Sequence, residues 1–311
     1  AHAESTHVCV PIQGSGTFAV EATLGTLIPP SGHVLILVNG AYGHRMAKIC
    51  EYNGRRAEIL EWAEDQPVEP EKLEAALTAN PSISHVLVVH CETTSGIINP
   101  VADISTVCEK HGRALLIDAM SSFGALELDA RTLKFDALMA SSNKCLEGVP
   151  GLGFALISRA VLAGAAGNST SLSLDLHAQW RGFEDTAQWR FTPPTHVLAA
   201  LAQALDEHAA EGGVEGRGQR YARNCETLIS GMQALGFTPL LPNDLQAPII
   251  VTFHMPADPA FDFAEFYEAL AARGFVIYPG KLTVAPTFRI GCIGHLGEAQ
   301  MRGVLSAISE V

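Results

Sequence analysis

The chain has 311 residues, 48% of them hydrophobic, with a formal net charge of −13 and a pI near 5.3. That length allows one large domain or two around a well-buried core. Such an acid excess argues against nucleic acid or an anionic membrane as the main partner, while a local positive site for a small anion stays possible.

Seven cysteines are scattered with no C-x-x-C pair, which points to reduced thiols in a cytoplasmic protein rather than a disulfide framework or zinc site. The longest apolar runs, such as "VLILV" and "VLVV", are strand-sized, so no membrane span is expected and no signal peptide is visible. The twelve histidines form no metal-ligand pattern.

In chain order, a Gly-Ser-Gly-Thr turn in "QGSGTFAVEATLG" opens an apolar helix over 17–27. A buried strand is expected over 33–40 and helices over 41–54 and 70–79, then strands at 85–96, 113–124 and 135–143 separated by helices at 100–111 and 127–133. Continuous apolar strands spaced by helices predict an α/β fold: a mostly parallel central sheet flanked by helices. Beyond about 195 the texture changes. Helices over 195–210 and 216–235 precede strands at 247–254, 274–280 and 288–294, with helices at 262–273 and 297–309. This order predicts a smaller C-terminal α+β domain, dividing the chain into 1–210 and 211–311.

Four places could carry chemistry. The turn at Ser15, Gly16 and Thr17 gathers backbone N–H groups and hydroxyls at a helix N-terminus, which suits a phosphate; a plain helix cap is the ordinary alternative. Asp118 ends the strand-like "ALLID", where open α/β sheets place ligands, though it could simply cap a loop. Lys144 follows another strand end, where partial burial makes an amine nucleophilic, although a solvated loop lysine is commoner. Arg289, in "FRIGCIG", could grip a carboxylate or phosphonate, or be paired on the sheet. Phosphate cradle, acid and lysine together favour pyridoxal 5'-phosphate, which needs a lysine at its aldehyde and a carboxylate at its ring nitrogen.

The stretches "QGSGTFAVEA", "VNGAYGHRM", "HCETTSGIINP", "LLIDAMSSFG", "SSNKCLEGVPG", "SLSLDLHAQW", "WRFTPPTHV", "GFVIYPGK" and "FRIGCIG" resemble the class V aminotransferases of the fold-type I pyridoxal-phosphate enzymes. Within that family they are most similar to the 2-aminoethylphosphonate–pyruvate transaminases. The resemblance implies a homodimer and roles for matching residues. Ser15, Gly16 and Thr17 would hold the phosphate, and Tyr42 would stack on the pyridine ring. Thr93 would bond the phenolic oxygen and Asp118 the ring nitrogen, while Lys144 would bond the aldehyde and move protons. Asn143 would join the cofactor-binding set, Thr192 would reach the neighbouring subunit's phosphate, and Arg289 would grip the substrate's acid. The implied reaction moves the amino group of 2-aminoethylphosphonate to pyruvate, giving phosphonoacetaldehyde and L-alanine. Alanine– or serine–glyoxylate and serine–pyruvate transamination remain open, as does a pyridoxal-phosphate lyase or desulfurase. Family members begin several dozen residues upstream, so a shortened chain with weaker stability or dimerisation is the expectation.

Overall fold

A computed structural model describes residue 3, residues 5–282 and residues 284–311. The first part runs β1 (His7–Gln13), α1 (Gly16–Leu27), β2 (His33–Val38), α2 (Ala41–Tyr52), β3 (Arg56–Glu61), α3 (Pro70–Ala79), β4 (His85–Val89), β5 (Cys91–Glu92), β6 (Ile97–Ile98), α4 (Val101–His111), β7 (Ala114–Asp118), β8 (Ala137–Ser141) and β9 (Leu152–Ser158). Then follow α5 (Arg159–Ala163), α6 (Leu176–Thr186), α7 (Thr195–Ala210), α8 (Gly213–Ala234), β10 (Ile250–His254), α9 (Phe263–Ala272), β11 (Tyr278–Pro279), β12 (Thr287–Gly291) and α10 (Glu298–Ser309).

Seven strands form the main sheet in the order β1-β9-β8-β7-β4-β2-β3. The expected parallel character holds except at β9, which is antiparallel to both neighbours. All six residues of β2 are buried, because the sheet is covered on both faces. Its side chains alternate: Val34, Ile36 and Val38 enter one core with α1 and α2 residues, while Leu35 and Leu37 enter another with α3 and α4 residues. The parallel register sets Val89 opposite Asp118, and Asp118 opposite Met139, so the ends of three central strands lie together. That shared edge is where the chemistry gathers.

One expected element is absent. Residues 127–133 form a turn, not a helix. The Asp129 carboxylate accepts the N–H of Arg131, and its carbonyl accepts those of Thr132 and Leu133. A local aspartate turn thus takes the N–H groups a helix would use.

The smaller sheet has the order β10-β12-β11 and is antiparallel. Phe253, Phe288 and Ile290 pack there with Leu228 and Met232 of α8, Phe266 of α9 and Val304 of α10. The β5–β6 hairpin is tied to the segment leading into β10: Ile98 N–H donates to Leu245 O at 3.0 Å and Ala247 N–H to Gly96 O at 2.9 Å. Gly96 has φ +97°, and a Cβ there would lie 2.3 Å from Ile250 O, so close backbone approach requires glycine. No helix among the described residues is long and apolar enough to cross a membrane.

Candidate active site

Lys144 leaves the tip of β8 on a tight loop. Ser142 Oγ donates to the carbonyls of Val149 (2.7 Å) and Leu152 (3.1 Å), while Glu147 N–H closes back onto Lys144 O at 2.9 Å. Glu147 takes φ 58°, the left-handed region that a non-glycine residue enters only when its surroundings hold it. Those surroundings are charged. Glu147 accepts from Tyr221 Oη and from Arg220 Nη2, and Arg217 Nη1 donates to Cys145 O at 2.6 Å. Arg217 and Arg220 both also bond Glu211. The residues just after the lysine are therefore anchored to α8.

Lys144 lines a cavity of about 620 Å³ together with Tyr42, Thr93, Ser121, Lys281 and Arg289. No aspartate or glutamate among the described residues lines it, although the chain carries 33 acidic residues. Arg289, on β12, is 5% exposed. Its guanidinium donates to Pro279 O (3.1 Å) and Thr93 O (2.7 Å), so backbone carbonyls aim it without neutralising it. Tyr42 sits at the start of α2, with the Arg45 guanidinium 4.7 Å from its ring centroid and Lys281 Nζ at 5.1 Å. Burial opposes ionisation of the Tyr42 hydroxyl, but its bond to Thr93 and the cations of Lys281 and Lys144 outweigh that and lower its pKa.

Asp118 is buried at the tip of β7, where its Oδ1 accepts Met120 N–H at 2.9 Å. Burial pushes its pKa up to about 6 and Glu92 adds to the rise, against the Met120 N–H, Arg45 and Lys144. Glu92 itself is fully buried and raised by burial, yet accepts four bonds, from Tyr42 N, Gly43 N, Thr94 N and Thr94 Oγ1. It clamps the start of α2 to the hairpin that carries Thr93.

The turn at 14–17 joins this edge from the side. Gly14 N–H donates to Gly151 O at 3.0 Å, beyond the lysine loop. The Met120 side chain occupies the space that a Cβ on Gly16 would enter. Ser15 is exposed and makes no side-chain cap bond, and Thr17 Oγ1 accepts from Arg45 at 3.4 Å. The backbone N–H groups opening α1 are thus presented beside Asp118, with no acid in the first turn.

The fold therefore gathers Tyr42, Thr93, Lys144 and Arg289 around one cavity and sets Asp118 and the Ser15–Thr17 turn along the same strand edge. Thr192 lies elsewhere, on a second cavity of about 430 Å³ with Gln13, Gly14 and Phe18, and Asn143 is exposed outside the lining of the first. Sequence reasoning gave no role to Arg45, Glu92, Ser121 or Lys281. All four fall within or beside distinctive stretches ("GHRM", "HCETTSG", "DAMSSFG", "YPGK"), which was the available signal.

Comparison with known proteins agrees with this geometry. The family model for class-V aminotransferases matches residues 1–295. The chain is 57% identical over 309 residues to 2-aminoethylphosphonate–pyruvate transaminase 2 of Burkholderia lata, covering 99% of this chain and 82% of that protein. It is 57% identical over 305 residues to the 2-aminoethylphosphonate–pyruvate transaminase of Pseudomonas fluorescens, covering 98% and 83%. Among solved structures, pyridoxamine–pyruvate aminotransferase of Mesorhizobium loti superposes with a TM-score of 0.89 at 26% identity, over 97% of this chain and 78% of that one. An alanine–glyoxylate aminotransferase from Nostoc sp. gives 0.92 at 22% identity, over 98% and 81%, a likeness of fold. With the strand-tip lysine and acid already in place, these matches establish that the chain belongs to the class-V aminotransferase family.

Proposed function

We propose that the protein transfers the amino group of 2-aminoethylphosphonate to pyruvate, using pyridoxal 5'-phosphate, and releases phosphonoacetaldehyde and L-alanine. One observation carries this reading: Lys144 and Arg289 face a single cavity that no carboxylate among the described residues lines. An acidic amine can then set its acid on the arginine and its nitrogen at the lysine. The phosphonate substrate is supported by the names of the relatives at 57% identity.

The residues present fit pyridoxal phosphate. An exposed hydroxyl and a helix N-terminus suit its phosphate, the buried Asp118 suits a ring N–H, and Lys144 on the cavity wall suits its aldehyde. When bound, the group supplies an aldehyde to carry nitrogen and an electron sink for the substrate's C–H electrons. In this reading Ser15, Gly16 and Thr17 hold the phosphate, Tyr42 covers the ring and Thr93 donates to its oxygen. Asp118 keeps the ring nitrogen protonated; a cation there favours the ionised carboxylate and offsets the burial that lifts it to about 6. With the group bound, the Lys144 amine would take the proton from the substrate's amino-bearing carbon and hold it for return. Arg289 holds the phosphonate in one half of the cycle and the pyruvate carboxylate in the other. Asn143 and Thr192 complete the cofactor set, Thr192 from across a homodimer, and the division at 210/211 separates the cofactor domain from the smaller one.

Two measurements test the proposal. Borohydride reduction of the loaded protein should leave a pyridoxyl group on the Lys144 peptide. Alanine should form from pyruvate with 2-aminoethylphosphonate as donor. Turnover with serine alone, or alanine–glyoxylate exchange without any phosphonate reaction, would replace the substrate reading.

A further inference from the structure

Lys281 is the cation that the proposed chemistry leaves without work. It lies just past β11, next to Arg289 in space because Tyr278 of β11 pairs with Arg289 of β12. Its Nζ stands 3.4 Å from Tyr42 Oη, on the lining of the Lys144 cavity. No carboxylate pairs with Lys281 or Arg289 among the described residues. Two side-chain cations besides Lys144 thus face one cavity whose described lining carries no carboxylate. Arg289 is buried there and Lys281 stays open to water, and together they favour an anionic ligand.

The two cations differ in kind. Arg289 is buried and fixed by two carbonyls, a planar fork that matches two oxygens of one acid. Lys281 is exposed, a point charge on a flexible stem that can follow a third oxygen. A carboxylate has two oxygens and one negative charge, so the fork alone satisfies it. A phosphonate has three oxygens and, like a phosphate ester, a second ionisable proton, so it can carry two negative charges. We infer that Lys281 is a specificity-determining residue that takes the third oxygen and second charge of a phosphonate, and so separates phosphonate from carboxylate substrates. The inference rests on the proposed function and names the residue that would make it selective.

The test is binding to the pyridoxal-phosphate-loaded protein, using ethylphosphonate and propionate as matched probes, measured by calorimetry. Lys281→Met should weaken ethylphosphonate about 10-fold and propionate less than about 3-fold, as expected for losing one charged hydrogen bond. Lys281→Arg should keep ethylphosphonate within about 3-fold of the parent, since the charge remains. In the parent, ethylphosphonate affinity should rise with pH through its second ionisation, and that rise should flatten in Lys281→Met. Equal loss for both probes would show that Lys281 merely holds Tyr42, and no loss would show that it is solvated; either overturns the inference. An arginine variant as weak as the methionine variant overturns it too. Failure of the parent reading shows separately, as alanine formation from other donors but none from 2-aminoethylphosphonate.

Discussion

Arg217 and Arg289 are both buried, 2% and 5% exposed, but they are satisfied in opposite ways. Arg217 bonds the Glu211 carboxylate and the Cys145 carbonyl and lies 3.6 Å from Glu147, inside a cluster that Arg220 and Tyr221 complete. Among the described residues Arg289 bonds two carbonyls and no acid. A buried cation matched by acids holds parts of the fold together, whereas one matched only by carbonyl dipoles keeps its charge for a ligand. The two arginines thus mark a structural region behind the lysine loop and a binding region in front of it.

Substitutions on either side can break that division. The largest effect belongs to the front: Lys144→Ala should lower turnover by more than about 1000-fold, with little change in melting temperature, because a nucleophile is lost from a loop held by other residues. Steady-state alanine formation and a thermal scan check both halves. Behind the loop, Arg217→Met should leave Glu211 and Glu147 to share Arg220 alone and cost about 2–3 kcal/mol of stability, read from denaturant unfolding. A stability unchanged within about 1 kcal/mol would mean the cluster is not the anchor proposed for it. Arg289→Met should cut kcat/KM for the acidic substrate about 100-fold and cost only about 1–2 kcal/mol of stability, because two carbonyls but no acid lose their donor.

The smallest effect is a pH dependence. The bond from Arg220 holds the Glu211 carboxyl down at about 2 against an ordinary 4.5, despite some burial and with help from Arg217. A carboxyl lowered on folding contributes stability that is complete above pH 4.5 and disappears as pH falls toward about 2. Glu211→Gln should therefore melt lower than the parent at neutral pH, with the gap closing across that window. A constant gap would show that the cluster is held by packing and not by charge.

Much of the binding region was readable from the chain. The strands ending at Asp118 and before Lys144 are apolar throughout because both faces of the sheet are covered, and α3 and α7 lie at 70–79 and 195–210 as expected. The edges were harder to read. β3, "RAEILE", is half exposed and charged because it has one neighbour, and β1 carries Pro11, which an edge position tolerates. Lys281 over Tyr42 and Glu92 under α2 are meetings across long stretches of chain. Nothing in the local residues announces such contacts; the sheet order creates them.

The hairpin that carries Thr93 has a mechanical consequence. Its backbone is laddered to 245–250, and Gln246 Nε2 reaches both Gly96 O and Ile250 O, while Arg289 grips the Thr93 carbonyl. Thr93 is therefore held from both sides, by Arg289 and residues 245–247 on one and by the Glu92 clamp on α2 and the Ser121–Cys91 bond on the other. Because Arg289 bonds the Thr93 carbonyl directly, the group that receives an acid and the hairpin beside the lysine cavity form one braced unit, and a displacement of either is felt by the other.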